Sequence, residues 1–183
     1  PQDLSRKRIR VPVRTMQWAV EELQGSAVKV PVPRIPQVLQ RNVADTLMIP
    51  MDVVEVLGLE RHISHFTQGL QGERFANTVF QVSMNKARWD SLDGDIQEAF
   101  RKASGPDFLK KVGQQWSDDD QAGEDRLIMF KRTKVDLTSA QLMDYQKALK
   151  PVEERWLKQV SFLGIDGKKL IDKARKTIKK HSK

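Results

Sequence analysis

Residues 7–20 read KRIRVPVRTMQWAV, and the order of their side chains predicts a strand that leads into a helix. The apolar run is interrupted by Arg10, Pro12 and Arg14, after which Met16 and Val20 recur at helical spacing. A buried arginine costs free energy unless an acceptor matches it, because its guanidinium stays charged at ordinary pH. Arg10 therefore needs a partner, which is either an acid of this chain or a ligand.

The first third of the chain alternates short strands with helices. Strand-like runs at 9–13, 26–32 and 45–50 are each followed, after a few residues, by a segment with helical spacing. This alternation favours an α/β fold in which a parallel or mixed sheet is covered by helices. The polar residues 60–77 predict a loop, and TVFQVSMN at 78–85 predicts one more strand.

Helical patterns dominate the second half of the chain. The spacing of apolar residues predicts an amphipathic helix over 96–103 and a longer one to about residue 130. KVDL at 134–137 predicts a brief strand. Thr138 and Gln141 then have the spacing of a capping box, which predicts that a helix begins there.

The positive charge is concentrated at the end of the chain. The net charge is +8, and residues 168–183 hold eight Lys or Arg against one Asp, so that they carry +7 of it. This stretch has no aromatic residue for stacking against bases, and its apolar residues share one helical side. It predicts a terminal helix with a solvated cationic face. The alternative is an interaction module that uses this helix to bind nucleic acid or an acidic partner.

Motifs for catalysis, metals and cofactors are missing from the sequence. The chain has no cysteine, no glycine-rich phosphate loop and no nucleophile elbow. His62 and His65 have a metal-like spacing without a third ligand, and residues 118–120 lack the alternation of a calcium loop. We therefore predict no catalytic residues, no metal site, no cofactor and no enzymatic activity. The chain also has no signal-peptide pattern, which leaves a cytosolic, processed or partial protein.

Arg10 is the strongest candidate for a functional residue. In sheets with helical crossovers, ligands bind beyond the carboxyl ends of the strands, which is where the spacing puts Arg10. There its guanidinium can bind a carboxylate through two parallel hydrogen bonds. The alternative, equally supported by the sequence, is that Arg10 pairs with an internal acid such as Asp45 or Asp52.

Four segments carry a resemblance to a known family. They are PQDLSRKRIRVPVR, VKVPVPRIPQVLQRNVADTLMIPMDVV, VFQVSMNKARWDSLDGDIQEAF and VEERWLKQVSFLGIDGKKLIDKAR. In this order they resemble the DctP-like solute receptors of tripartite ATP-independent periplasmic (TRAP) transporters, across almost the whole chain. The resemblance implies a two-lobed, periplasmic-binding-protein-like α/β fold whose first lobe is incomplete here. Residues 1–77 would be the ligand-binding second lobe, and residues 78–183 the return strand of the first lobe plus a helical C-terminal region.

The resemblance also implies a function. Family members bind a small organic acid in the periplasm and deliver it to the membrane permease subunits of the TRAP system, without catalysis. No nucleic acid partner is expected, and self-association through the exposed, truncated lobe is expected. By motif, Arg10 clamps the carboxylate of the ligand. The predicted substrate-binding residues are Arg10, Val13, Arg14, Met48, Ile49 and Met51.

Two departures from the family pattern bear on the ligand. The family's DG turn is Asp45 and Thr46 here, so that the glycine turn is lost or reshaped. Many receptors for sialic acid and dicarboxylates have asparagines where this chain has Val13 and Ile49. Because two polar contacts become apolar, we expect a carboxylate with an apolar or aromatic body rather than a sugar acid.

Overall fold

The computed structural model describes residues 1–70, 72–74 and 79–181. Short strands and helices alternate in the first part, and longer helices follow. In chain order the elements are β1 (Arg8–Val11), α1 (Arg14–Glu22), β2 (Ser26–Lys29), α2 (Ile35–Gln40), β3 (Thr46–Leu47), α3 (Asp52–Val56), β4 (His65–Gly69), α4 (Lys86–Asp90), α5 (Gly94–Ala103), α6 (Pro106–Met129), β5 (Thr133–Leu137), α7 (Ser139–Ser161) and α8 (Gly167–His181). The predicted α/β fold class is confirmed.

A three-stranded sheet in the order β2-β1-β3 holds the N-terminal part together. Both neighbours run parallel to β1, with Arg10 opposite Val28 on one side and Leu47 on the other. Ile9 and Val11 share one face of β1 because side chains alternate along a strand, and both pack against a core with Val20 of α1. Arg10 lies between them in the chain and therefore points to the opposite face.

A second apolar cluster joins α1 to the strand and helix near the C-terminus. Leu23, Leu137 and Tyr145 are buried together. The capping box predicted at Thr138 and Gln141 is confirmed, and it fixes the start of α7. This cluster explains why residues far apart in the chain form one compact unit.

The chain divides into two compact units. One consists of Pro1–Met48 and Leu137–Lys183, and the other of Ile49–Asp136. The two lobes predicted from the resemblance, 1–77 and 78–183, refer to a longer fold and stay a prediction, and their boundary lies outside the described residues. None of the helices among the described residues is long and apolar enough to cross a membrane.

One prediction of local structure in the second unit is wrong, and a predicted strand is not formed among the described residues. Residues 65–69 form β4, which pairs with β5, in a stretch predicted to be a loop. The polar residues of this stretch led to the loop prediction, although one of them, Gln68, is buried in the strand together with Phe66. Conversely, residues 79–85 of the predicted strand form no helix or strand, and Val79 and Val82 are 92% and 95% exposed. The described chain offers this segment no neighbouring strand, and a strand without one cannot pair its backbone groups.

Helices α5 and α6 form where the spacing predicts them, but part of their apolar surface is exposed. Ile96 and Phe100, on the predicted stripe of α5, are 41% and 47% exposed. The C-terminal half of α6 is better covered, with Leu127 fully buried. There α6 approaches the start of α3 so closely that a Cβ built at Gly123 would overlap the carbonyl group of Met51.

We expect Gly123→Ala to destabilise the second unit by about 1–3 kcal/mol, because the added methyl group forces α3 and α6 apart. The matched control is Gly113→Ala in the same helix, where a Cβ would meet nothing within 4 Å. That change should stabilise the protein by about 0.5–1 kcal/mol, since alanine favours helix interiors. Urea unfolding of both variants measures the difference, and equal effects would contradict this close approach.

Candidate functional site

The side chain of Arg10 joins the carboxyl ends of three parallel strands. Its Nε and Nη2 donate to the carbonyl oxygen of Val30, just past β2, at 3.2 and 3.1 Å. Its Nη1 donates to the carbonyl oxygen of Met48, just past β3, at 3.2 Å. The backbone N–H of Met48 in turn donates to the carbonyl oxygen of Arg10 at 2.9 Å. One side chain at the end of the central strand thus contacts the backbone that follows each edge strand.

The charge of Arg10 is buried without an anionic partner among the described residues. The residue is only 2% exposed, and its three hydrogen bonds go to neutral carbonyl groups. Burial lowers the pKa of the Arg10 guanidinium, yet arginine stays protonated in proteins. A guanidinium has five N–H donors, so that one on each terminal nitrogen is left without an acceptor in the described chain.

The internal pairing of Arg10 with Asp45 or Asp52, which the sequence left open, is wrong. Asp45 pairs with Arg8, whose Nη2 lies 2.7 Å from Asp45 Oδ1 and whose Nε lies 3.1 Å from Oδ2. The backbone N–H of Asp52 donates to Asp120 Oδ1 at 3.0 Å, and burial, with the nearby Asp120 charge, raises the pKa of Asp52. Neither carboxylate neutralises Arg10.

Arg14 is held against α7. Its Nη2 donates to Gln159 Oε1 at 2.9 Å, and its guanidinium lies 5.3 Å from the centre of the Trp18 ring. Arg155 lies over the same ring at 4.4 Å and pairs with Glu21 at 3.0 Å. Two cations on one aromatic ring stabilise the packing of α1 on α7. Arg14 therefore has a structural role in the first unit, in addition to any role in binding.

The apolar residues predicted for the site lie in different surroundings. Val13 precedes α1 and is 51% exposed. The Met48 side chain packs against the core cluster of β1 and α1, so that its carbonyl group is the part that reaches Arg10. Ile49 and Met51 belong to the second unit, where Met51 precedes α3 and contacts α6.

Two clefts among the described residues are lined by residues other than Arg10. One, of about 410 Å³, lies in the first unit between Arg14 and the C-terminal half of α7, including Trp156 and Phe162. The other, of about 360 Å³, lies along α5 in the second unit. His62 and His65 are exposed. Over the part of the chain that is described, three or more potential metal ligands never come together.

The buried acids Glu60 and Glu124 of the second unit each pair with a cation, whereas Arg10 has no anionic partner among the described residues. Glu60, 1% exposed, accepts from Arg126 at 2.9 Å. Burial is the largest single effect and raises the pKa of Glu60, but the hydrogen bonds and the nearby arginine charges together lower it. Glu124 lies 3.0 Å from Lys134 and 3.5 Å from Arg74. Burial is again the largest single effect and raises the pKa of Glu124, but the hydrogen bonds and charges of Lys134 and Arg74 together lower it.

Sequence reasoning missed the contacts that position Arg10. The partners of Arg10 are the backbone carbonyl groups of Val30 and Met48, and a pattern of side chains does not predict backbone partners. The pairing of Arg8 with Asp45 could have been predicted from the sequence. A basic residue and an acid that lie at the starts of two neighbouring strands come close together when the strands are parallel. In the structure the Asp45 N–H donates to the carbonyl oxygen of Arg8 at 2.8 Å.

Comparison with known proteins identifies the family. Residues 1–159 match the DctP family, which is described as bacterial extracellular solute-binding protein, family 7. The chain belongs to this family. The family and the solved structures similar to this chain are solute-binding proteins, not enzymes.

Three crystal structures of TRAP solute-binding proteins share the fold. One from Rhodoferax ferrireducens T118, with copurified benzoate, is 25% identical with a TM-score of 0.89 over 98% of this chain and 56% of its own. A marine metagenome protein specific for aromatic acids, with metahydroxyphenylacetate, is 23% identical with a TM-score of 0.83 over 99% and 57%. One from Bordetella bronchiseptica, with (R)- and (S)-mandelate, is 21% identical with a TM-score of 0.81 over 97% and 56%. The chain thus spans little more than half the length of these proteins.

We expect the contribution of Asp45 to stability to depend on pH. The hydrogen bond from Arg8 lowers the pKa of Asp45 from its ordinary 3.8 to about 2. Because the folded pKa lies below the unfolded one, the stabilisation is complete above about pH 5 and is lost as the pH falls towards 2. The difference in free energy of unfolding between the wild type and Asp45→Asn should follow this course in urea titrations.

The control for this experiment is Asp144→Asn, which removes an exposed carboxylate of α7. A difference for Asp45→Asn that stays constant down to about pH 2 would show that the Arg8 pair does not stabilise the fold.

Proposed function

We propose that this protein binds a small organic acid in the periplasm and delivers it to a TRAP-type membrane permease, with Arg10 holding the carboxylate. The observation that carries the proposal is the buried guanidinium of Arg10, bonded to carbonyl groups at the strand ends and without a charged partner in the described chain. The buried acids Glu60 and Glu124 each have a cation partner, whereas Arg10 has no anionic partner in the described chain. A carboxylate would accept from the remaining N–H groups and neutralise the charge.

The ligand that fits best is a carboxylate with an apolar or aromatic body. Val13 is half exposed and apolar, at a position where the family resemblance implies asparagine in many receptors for sialic acid and dicarboxylates. The three solved structures compared above hold benzoate, metahydroxyphenylacetate and mandelate, which are aromatic acids. The contribution of Ile49 and Met51 stays a prediction from the family resemblance, as does that of Arg14.

The rest of the pocket would come from parts of the longer fold. The chain covers 56% and 57% of two of the solved relatives, and neither described cleft includes Arg10. In this proposal residues 79–85 are the return strand of the first lobe, which pairs with strands outside this chain. Their alternating pattern and extreme exposure support it.

We expect Arg10→Lys to weaken benzoate binding by at least about tenfold, since an ammonium group cannot form two parallel hydrogen bonds to a carboxylate. Isothermal calorimetry on the protein encoded by the complete reading frame measures the change. Arg41→Lys is the matched control, because it makes the same substitution at an exposed arginine after α2 and should leave the affinity unchanged.

Loss of folding would mimic loss of binding, because Arg10 also ties the strand ends together. Circular dichroism melts of each variant separate the two effects. If Arg10→Lys is folded at the temperature of the titration and binds benzoate, mandelate and malonate as the wild type does, the carboxylate role of Arg10 is wrong.

We also propose that this 183-residue chain self-associates through the apolar surface of its second unit. Val79, Phe80, Val82 and Met84 are exposed in one short segment, and Phe80 stacks on Trp116 of α6 with ring centres 4.8 Å apart. An apolar segment with free backbone groups can pair with the same segment of a second copy.

We expect the isolated chain to form dimers at micromolar concentration, and Val82→Lys to shift the equilibrium to monomers, because a charge in a paired apolar segment loses its hydration. Size-exclusion chromatography with light scattering measures the mass. Val56→Lys is the control, since Val56 is also highly exposed, at 81%, but lies on α3. A wild-type chain that elutes as a monomer at all concentrations would refute this proposal.

A further inference from the structure

Helix α8 separates apolar and cationic side chains onto opposite sides. Successive residues of an α-helix are about 100° apart, so that four apolar residues fall within one arc of about 100°: Leu170, Ile171, Ala174 and Ile178. The basic residues occupy the opposite half: Lys168, Lys169, Lys173, Arg175, Lys176, Lys179 and Lys180. Asp172 is the one acid in this helix.

The start of α8 is fixed on α7. A Cβ at Gly167 would lie 2.7 Å from Val160 and 2.8 Å from Leu157, which shows how closely the two helices approach. Arg175 pairs with Glu153 of α7 at 2.7 Å. These contacts set the orientation of α8 on the first unit, so that its cationic side is presented outward.

The lysines of α8 are exposed and have no ion pair within the described ranges. All six of them are solvent-exposed, and Arg175 is the α8 cation that has a carboxylate partner there. Leu170 and Ile178, on the apolar side of the same helix, are 48% and 49% exposed. Helix α8 therefore presents a cationic side and, opposite it, two half-exposed aliphatic residues.

We propose that the cationic surface of α8 docks on the anionic headgroups of a phospholipid bilayer. Charge complementarity selects an anionic partner, because this helix carries most of the net charge of an otherwise nearly neutral chain. A bilayer fits better than nucleic acid, since the stretch contains no aromatic residue for stacking on bases, while half-exposed Leu170 and Ile178 suit the boundary between headgroups and acyl chains.

Vesicle co-sedimentation tests the proposal with the 183-residue chain. We expect binding to vesicles of phosphatidylglycerol and phosphatidylcholine in equal parts, little binding to pure phosphatidylcholine, and a decline as salt screens the charges. The variant Lys173→Gln, Lys176→Gln, Lys179→Gln, Lys180→Gln should bind the anionic vesicles at least about tenfold more weakly. Its matched control is Lys7→Gln, Lys102→Gln, Lys110→Gln, Lys111→Gln, which removes the same charge at exposed lysines elsewhere and should lose no more than about twofold.

Three results would overturn the proposal. An equal loss in both variants would show that binding follows the net charge and not α8. Equal binding to vesicles of pure phosphatidylcholine would exclude recognition of anionic headgroups. Displacement from the anionic vesicles by equimolar duplex DNA would show that nucleic acid is the preferred partner. Circular dichroism of both variants checks that each remains folded.

Discussion

A buried guanidinium that holds the ends of three parallel strands determines much of this structure. Arg10 donates to the carbonyl groups that follow β2 and β3, so that a single side chain fixes where the chain leaves each strand. Hydrogen bonds from a charged donor contribute about 1.5–3 kcal/mol each, which offsets part of the cost of burying the group. Carbonyl dipoles carry no net charge, however. The contacts that stabilise the sheet therefore leave one positive charge unmatched at the place where α/β sheets bind ligands.

In the second unit, the buried charges of Glu60 and Glu124 have oppositely charged partners. The Glu60 carboxylate accepts a hydrogen bond from Arg126, and its backbone carbonyl oxygen accepts one from Arg132 at 2.7 Å. Glu124 receives Lys134 and Arg74, and Gln68 donates to it. Breaking such a pair leaves a buried charge uncompensated, which is costly, so that structural ions come with partners. Arg10 lacks an anionic partner in the described chain, and in this it differs from Glu60 and Glu124.

The sequence predicted the parts of the fold that depend on neighbours close in the chain or on strict periodicity. The parallel β1, β2 and β3, the capping box at Thr138 and the helical stripe of α5 belong to this group. Strand β4 was missed because Gln68 is buried through hydrogen bonds to other elements, and periodicity reads a buried polar residue as exposed. The position of Arg10 was predictable, but its partners were not. The sequence allowed Asp45 as a partner of Arg10, but the register of the strands places Asp45 beside Arg8, with which it pairs.

Residues 79–85 show the opposite error, in which the sequence predicts a strand that the structure does not form. Alternation of apolar and polar residues reports that one face of a segment is to be buried, but it does not say by what. A strand forms only when a second strand accepts its backbone hydrogen bonds, and the described chain offers none to Val79 and Val82. The apolar face of α5 is likewise half exposed. In both places the described residues leave apolar side chains exposed, because a local pattern predicts that a face is buried without naming the surface that covers it.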